Sequence, residues 1–334
     1  MTPPIRVLCM WPRPLSPGLL DPLRAVASVV VHEPDAAFLA AHLGEFDVYL
    51  AALHVRVDAA LAARAAAGRL RLIYTPSTGL DHLDLPALAA HGVEVRSIRT
   101  EHELLDRVTA TAELALALLL AVARRLPAAH AAAVAADWAR DRLRGRQLYG
   151  QTLGVVGVGR LGTMMVRMGR GLGMHVVGHD PAPRLRVPGL DYLPFDELAH
   201  CSDAISLHLH LTPENEHFVS ADRIARMKPG VILINTSRGR VIDEDALLAA
   251  LHRGHVGGFG ADVIDGEWRT DLHAHPLLDY ARRHDQVVIT PHVGGVTHGS
   301  QDTVYAFVVG RVVELLRAAP GVGGRVDAPA KAPA

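Results

Sequence analysis

The spacing of three glycines, Gly157, Gly159 and Gly162, is the strongest constraint on how this chain folds. They follow the apolar segment Leu153–Val156 and precede a helical pattern over Thr163–Gly169. Glycine permits a tight turn, a close approach of backbone to a ligand, and close packing of a helix on a strand. This spacing between a strand and a helix predicts a dinucleotide-binding βαβ unit, with free N–H groups facing a pyrophosphate.

An acidic residue follows at the distance expected for such a unit. Asp180 lies at the end of the next predicted strand, 18 residues beyond Gly162. A carboxylate there accepts hydrogen bonds from an adenosine ribose and repels a 2′-phosphate. We therefore expect NAD as cofactor, with a lower Michaelis constant for NADH than for NADPH. Arg184 and Arg186 leave NADP open, and a glycine turn in a nucleotide-free α/β domain is the other interpretation.

Short apolar segments alternate with helical ones along most of the 334 residues, a length that suits about two domains. Strands are predicted early in the chain at Ile5–Met10, Ala27–Val31, Val48–Ala51, Leu70–Tyr74 and Val93–Ile98. A second series is predicted at Leu153–Val156, His175–Gly178, Ala204–Leu209, Val231–Asn235, Gly258–Asp262 and Gln286–Thr290. This alternation is typical of α/β domains whose parallel sheets are covered by helices.

Two longer helices and a tail complete the predicted organisation. A largely apolar helix is expected over residues 104–126, ended by Pro127, and is a candidate homodimer contact. A final helix is expected over residues 300–318. The remaining residues, 319–334, have too little apolar mass to fold and are predicted to form a flexible tail.

Charge and cysteine content exclude several classes of protein. The net charge is −1, so no global basic field favours nucleic acid. The chain contains two cysteines, too few for a disulfide framework. Its first residues lack a signal-peptide pattern, and its longest apolar run is shorter than a bilayer span. We expect a cytoplasmic protein with neither a nucleic-acid nor a membrane partner.

Three polar segments follow strands of the second series. They contain Arg238, the pair Asp262 and Glu267, and His292. Ligands of doubly wound sheets bind beyond the carboxyl ends of the strands, where all three segments emerge. An arginine, a carboxylate and a histidine gathered there are suited to hydride-transfer chemistry.

Several motifs occur in the right order to resemble a known family. They are GVGRLG, Asp180, LHLHLTP, MKPGVILINTSRGRVIDEDAL, GADVIDGE, HPLL and TPHVGG. Over residues 70 to 315 the chain resembles the NAD-dependent D-isomer-specific 2-hydroxyacid dehydrogenases. The resemblance implies two Rossmann-like, doubly wound parallel-sheet domains of the α/β class. The substrate domain is discontinuous and flavodoxin-like, with residues 1–103 plus 294–318, and the NAD-binding domain spans 104–293.

The resemblance also implies roles for individual residues. Arg238 would bind the substrate carboxylate and polarise its 2-oxo oxygen, His292 would be the acid–base group, and Glu267 would orient it. Substrate-binding residues would be Ser77, Thr78, Gly79, Leu80, Arg238 and His292. Cofactor-binding residues would be Gly157, Gly159, Arg160, Leu161, Gly162, Asp180, Thr212, Pro213, Thr236, Ser237, Asp262, His292 and Gly294.

Two departures from the family pattern affect specificity. Trp268 stands where relatives have proline, so the loop after Glu267 could bend differently. The segment before Glu113 is longer than in most relatives, and Arg96, Arg99 and His102 either bind a second anionic group or are solvated loop charges. No metal site is expected, because the strand-spaced His208 and His210 lack further ligands.

The predicted function is hydride transfer between NAD(H) and a small D-2-hydroxy acid or 2-oxo acid, by a homodimer. Two alternatives remain open at this point. The chain could be an NAD(H)-responsive, non-catalytic binding protein such as a corepressor on the same fold. It could also be a dehydrogenase of the phosphite type, which keeps the same arginine, glutamate and histidine.

Overall fold

A computed structural model of the chain describes residues 4–183 and 186–318. The predicted tail at 319–334 and Arg184 lie outside the described residues. The rest forms two compact units: one runs as far as Leu105 and resumes at Gln301, and the other spans Asp106–Ser300. The functional domain boundaries expected after residues 103 and 293 stay predictions.

The first unit alternates strands and helices along the chain. Its elements are β1 (Arg6–Cys9), α1 (Asp21–Arg24), β2 (Ser28–Val31), α2 (Ala36–His42), β3 (Val48–Leu50), α3 (Ala59–Ala67), β4 (Leu72–Thr75), α4 (Leu85–Ala90), β5 (Glu94–Ser97) and α5 (His102–Leu105). The strands pair in parallel in the order β2-β1-β3-β4-β5. This is the flavodoxin-like order, which confirms the predicted fold class for this unit.

Local sequence explains where helices of the first unit begin. Asp35, Asp58 and Asp84 precede α2, α3 and α4, and each carboxylate accepts at least one backbone N–H from the first turn. Those N–H groups have no partner within the helix, so an aspartate cap stabilises its start. Between the helices the strands bury Tyr49 and Ile73 completely. Capped helices therefore cover a sheet that is apolar on its inner positions.

The second unit contains a larger sheet. Its elements are α6 (Ala110–Ala123), α7 (Leu126–Val134), β6 (Thr152–Val156), α8 (Arg160–Gly171), β7 (His175–His179), β8 (Asp191–Tyr192), α9 (Phe195–Cys201), β9 (Ala204–Leu207), α10 (Ala221–Ala225), β10 (Val231–Asn235), α11 (Glu244–His252), β11 (Val256–Ala261), α12 (Pro276–Ala281) and β12 (Val287–Ile289). The final helix, α13 (His298–Ala318), enters the first unit at Gln301.

All strands of the second unit are parallel, in the order β8-β7-β6-β9-β10-β11-β12. The chain reverses its direction of winding at β6 and β9, as in dinucleotide-binding sheets. The glycine-rich turn follows β6, so it lies at the edge where such sheets bind ligands. The sequence predicted six of these strands and missed β8, whose two residues are too short to show a periodic pattern.

The prediction of one continuous helix over residues 104–126 is wrong. The structure divides the region into α5, α6 and α7. Arg125, two residues before the proline, adopts a left-handed conformation with φ 50°, and α6 ends ahead of it at Ala123. Pro127 lies in the first turn of α7, where its missing N–H costs nothing. Within α6, Leu118, Leu119 and Val122 are buried in the core of the second unit.

No helix in the described ranges combines the length and apolarity that crossing a membrane requires.

Candidate active site

The glycine-rich turn has the shape that a dinucleotide requires. Gly157 has φ +83°, and a Cβ there would lie 2.5 Å from the carbonyl oxygen of His208. A Cβ on Gly162 would overlap the carbonyl oxygen of Gly157. At Gly159, in contrast, a Cβ would meet no atom within 4 Å. The protein's own packing thus explains two of the glycines, whereas the third leaves open space where a pyrophosphate would approach the backbone.

Asp180 is attached to this turn. Its Oδ2 accepts the backbone N–H of Val158 at 3.0 Å, and its Oδ1 accepts that of Ala182 at 3.0 Å. Each carboxylate oxygen retains lone-pair capacity for a further donor such as a ribose hydroxyl. Arg186, a possible contact for a 2′-phosphate, lies over the ring of Tyr192 at 5.0 Å. The fit of the turn to a dinucleotide therefore extends to an acceptor at the ribose position.

The other predicted cofactor residues lie in this unit in varied surroundings. Thr236 is buried, and its Oγ1 has no hydrogen-bond partner among the described residues. The hydroxyl of Ser237 donates to Asn235 Oδ1 at 2.7 Å. The Arg160 guanidinium donates to the backbone carbonyl of Val108 at 2.6 Å. Thr236 therefore has an unused hydroxyl for a ligand, while the side chains of Ser237 and Arg160 already have protein partners.

Asp262 organises the segment that carries the candidate acid–base histidine. Its carboxylate is buried and accepts three hydrogen bonds, from the Thr290 hydroxyl at 2.6 Å, from Val293 N–H at 2.8 Å and from Gly294 N–H at 2.7 Å. Burial raises the pKa of Asp262, and the three donors oppose that shift. The carboxylate thus binds the Thr290 side chain before His292 and the backbone after it. A direct contact of Asp262 with the cofactor stays a prediction.

His292 and Glu267 form a direct contact. His292 Nδ1 lies 2.7 Å from Glu267 Oε1, and their side chains are 14% and 18% exposed. The backbone of His292 is left-handed, with φ 55°, and its N–H donates to the carbonyl of Asp262 at 2.8 Å. Because Glu267 occupies Nδ1, the imidazole presents Nε2 as the nitrogen that can exchange a proton with a substrate. The indole of Trp268 stacks on the imidazole at 5.8 Å.

Arg238 follows β10, in a turn held by Asn235. The Asn235 amide donates to the Arg238 carbonyl at 2.9 Å, and Arg238 itself is half-buried. The next residue, Gly239, packs so tightly that a Cβ would overlap the backbone of Ile264 and Asp265. The turn that carries Arg238 is thereby packed against the segment that leads to Glu267. Two of the three predicted catalytic residues thus emerge from segments in backbone contact.

The predicted carboxylate-binding loop of the first unit, Ser77–Leu80, follows β4. The Ser77 hydroxyl donates to the Gly79 carbonyl at 2.7 Å and is 2.9 Å from the Thr75 hydroxyl. The N–H groups of Thr78, Gly79 and Leu80 donate to no acceptor within the described part of the chain. Consecutive backbone donors of this kind suit the binding of an anion.

His208, which was weighed with His210 as a metal-binding pair and not expected to be one, lies in a partly buried polar contact. Its Nε2 lies 2.9 Å from the Ser206 hydroxyl, and burial lowers the pKa of His208 to about 4. The imidazole is therefore neutral at physiological pH. In residues 4–183 and 186–318 no group of three potential metal ligands comes together.

Comparison with protein families identifies the second unit. Residues 116–294 match the model of the D-isomer specific 2-hydroxyacid dehydrogenase NAD-binding domain. The chain belongs to this family. The resemblance noted in the sequence motifs and the expectation of an NAD-binding domain are confirmed.

Individual members of the dehydrogenase family resemble the chain over most of its length. D-3-phosphoglycerate dehydrogenase of Mycobacterium tuberculosis is 38% identical over 81% of this chain and 49% of its own length. Hydroxypyruvate reductase of Thermotoga maritima is 35% identical over 74% of this chain and 78% of its own. The chain thus spans about half the length of the phosphoglycerate dehydrogenases it matches.

A solved structure of the family has the same architecture. D-lactate dehydrogenase of Aquifex aeolicus, crystallised with NAD and lactic acid, superposes with a TM-score of 0.82 at 28% identity. The superposition covers 94% of this chain and 96% of the other. The fold predicted from the sequence, two doubly wound parallel α/β domains, is confirmed.

The sequence motifs of this dehydrogenase family did not reveal several residues that shape the site. Asn235 holds the Arg238 turn, Thr290 donates to Asp262, and Glu244 and His275 contact the segment before Glu267. Glu244 lies in the VIDEDAL motif and His275 in HPLL, both of which carried the resemblance without a role. Their effect depends on tertiary contacts that the spacing of motifs does not show.

Proposed function

We propose that the protein is an NAD-dependent oxidoreductase that transfers a hydride between NAD(H) and a small D-2-hydroxy acid or 2-oxo acid. The observation that carries this proposal is the 2.7 Å contact of His292 Nδ1 with Glu267 Oε1 at the carboxyl edge of an NAD-binding sheet. An imidazole oriented by a carboxylate is a suitable general acid and base. Membership of the dehydrogenase family and the open glycine turn support the same conclusion.

The chain's own residues would divide the work of keto-acid reduction. NADH, when bound, supplies the hydride to the carbonyl carbon. His292 donates a proton from Nε2 to the carbonyl oxygen, which becomes the hydroxyl of the product. Arg238 pairs with the substrate carboxylate through its planar guanidinium. A 2-oxo acid, NADH and a proton thereby give a 2-hydroxy acid and NAD.

The test is NADH consumption with a panel of 2-oxo acids: glyoxylate, pyruvate, hydroxypyruvate, 3-phosphohydroxypyruvate and 2-oxoglutarate. We expect turnover of at least one, and a lower Michaelis constant for NADH than for NADPH because of Asp180. NADH binding without any turnover would favour the non-catalytic alternative. Reduction of NAD by phosphite, with no keto-acid turnover, would favour the phosphite-type alternative.

We further propose that the protein acts in the cytoplasm as a homodimer. Helix α7 buries none of its residues, and Val134 and Trp138 are 74% and 77% exposed. An apolar surface of this kind on a globular unit usually marks a protein contact, and a second copy of the chain is the partner we expect. This surface follows α6 in the chain. The homodimer contact is therefore expected next to the region 104–126, which the sequence suggested as the contact. Light scattering should give twice the chain mass, and Trp138→Ser should lower it.

A further inference from the structure

The backbone of Asp265 is held by two side chains from different helices. Its N–H donates to Glu244 Oε1 at 2.8 Å, and its carbonyl oxygen lies 2.9 Å from His275 Nε2. Glu244 is the first residue of α11, and His275 caps the start of α12. The backbone N–H and carbonyl of Asp265 are therefore held by side chains 21 and 10 positions away in the chain.

The hydrogen bonds determine which nitrogen of His275 carries a proton. Its Nδ1 accepts the N–H of Leu277 at 3.2 Å, so the proton must lie on Nε2. That Nε2 proton faces the Asp265 carbonyl, and Glu244 Oε2 is 3.4 Å away. His275 is buried, and the Glu244 side chain is 14% exposed. The Glu244–His275 pair is thus a satisfied polar network beneath the Asp265 segment.

This network lies directly before the carboxylate that contacts His292. Gly266 turns the chain with φ +67°, and Glu267 follows it. Gly239, next to Arg238, packs on the same Asp265 backbone. A displacement of Asp265 would therefore move Glu267 away from His292 and loosen the packing of the Arg238 turn.

The carboxylates around Glu244 indicate that the Glu244–His275 pair does more than stabilise the folded chain. The pKa of Glu244 is raised to about 7, chiefly by burial; the hydrogen bond from the Asp265 N–H opposes this shift, and the carboxylates of Asp265, Asp245 and Glu267 add to it. His275 is the other titratable group that faces Glu244, with its Nε2 3.4 Å from Glu244 Oε2. Burying an acid among acids costs free energy that an apolar contact would avoid. What the network does provide is a fixed position for the Asp265 backbone.

We infer that Glu244 and His275 are positioning residues that hold Glu267 against His292 through the backbone of Asp265. The inference rests on the proposed function for its catalytic consequence. Neither residue touches substrate in this scheme. Both act on the orientation of the imidazole, so they should affect turnover more than the affinity for NADH.

The experiment compares Glu244→Ala with Asp245→Ala, which removes an exposed carboxylate from the same turn of α11. We expect Glu244→Ala to lower kcat for the preferred 2-oxo acid by about 10-fold or more, with KM for the keto acid and Kd for NADH changed far less. Asp245→Ala should keep the wild-type kcat. Glu244→Gln should restore much of it, because an amide oxygen can accept the Asp265 N–H.

Two further variants test whether the effect survives when the cap of α12 is kept, and whether it acts through Glu267. His275→Asn retains a side chain that can cap α12 and loses the contact with Asp265, so it should lower kcat in the same way. In a Glu267→Ala background, Glu244→Ala should cost much less, because the residue it positions is gone. A wild-type kcat for both Glu244→Ala and His275→Asn, or an undiminished loss in the Glu267→Ala background, would overturn the inference.

A measurement independent of activity separates this inference from the proposed function. Trp268 lies next to Glu267, and its acrylamide quenching, obtained by difference from Trp268→Phe chains, reports the position of the segment. We expect Glu244→Ala to increase that quenching and Asp245→Ala to leave it unchanged. If no substrate is turned over, the proposed function fails, whereas unchanged Trp268 quenching in Glu244→Ala refutes the positioning role itself.

Discussion

The glycine-rich turn and the segment around His292 are built in opposite ways, although both lie in the second unit. The turn depends on close packing at its glycines, because a Cβ on Gly162 would overlap the Gly157 carbonyl oxygen and one on Gly157 would lie 2.5 Å from that of His208. The His292 segment is held by carboxylates remote in sequence, Asp262 and Glu267, which bind backbone and imidazole groups. The first should respond mainly to added volume, and the second to lost hydrogen bonds and to pH.

The largest expected effect sharpens the chemical side of this comparison. His292→Ala should reduce keto-acid turnover by about 10²–10⁴-fold, because it removes the general acid. NADH affinity should change far less than turnover, since the glycine turn is untouched. His273→Ala, which alters an exposed histidine of the same unit, is the matched control and should be fully active. Turnover in His292→Ala equal to the wild type would exclude the proposed mechanism.

A pair of identical substitutions tests the steric side. Gly162→Ala forces a Cβ into the Gly157 carbonyl, so it should cost about 1–3 kcal/mol and lower Tm by several degrees. Gly159→Ala meets open space and should leave Tm unchanged, yet weaken NADH binding about 10-fold, or about 1.4 kcal/mol. Calorimetry and NADH titration measure the two effects. Wild-type NADH affinity in Gly159→Ala would show that the pyrophosphate does not approach this turn.

The smallest expected effect concerns pH. Burial raises the pKa of Glu244 from 4.5 to about 7, so the native protein binds more protons than the unfolded chain between these values. This group therefore lowers stability as pH rises through that window. Glu244→Gln removes the charge, so its Tm relative to the wild type should be higher at pH 8 than at pH 5 by about 2 °C or more. Asp245→Asn, which alters an exposed carboxylate of the same turn, should show a much smaller difference.

The comparison also explains how much the sequence could predict. Gly157, Gly159, Gly162 and Asp180 could be proposed from the sequence because the role expected of each depends on spacing along a single βαβ unit. The strands were predictable because buried parallel strands are continuous apolar runs. Both kinds of information are local, and the structure agrees with them closely.

The features that the sequence did not predict are a helix break set by one backbone angle and contacts between residues that are not neighbours in the chain. The left-handed conformation of Arg125, which separates α6 from α7, has no marker in an alanine-rich segment. The contacts of Glu244 and His275 with Asp265 join residues that only the folded chain brings together. Such contacts have no periodicity, so no pattern of residue types reveals them.

The backbone of His292 carries a wider consequence. At φ 55° glycine has a lower conformational energy than a residue with a side chain, so histidine at position 292 destabilises the backbone there. Selection for thermal stability would therefore favour replacing His292 by glycine, whereas selection for catalysis would keep the histidine. Variants selected only for stability should therefore accumulate substitutions at His292 that raise Tm and abolish activity.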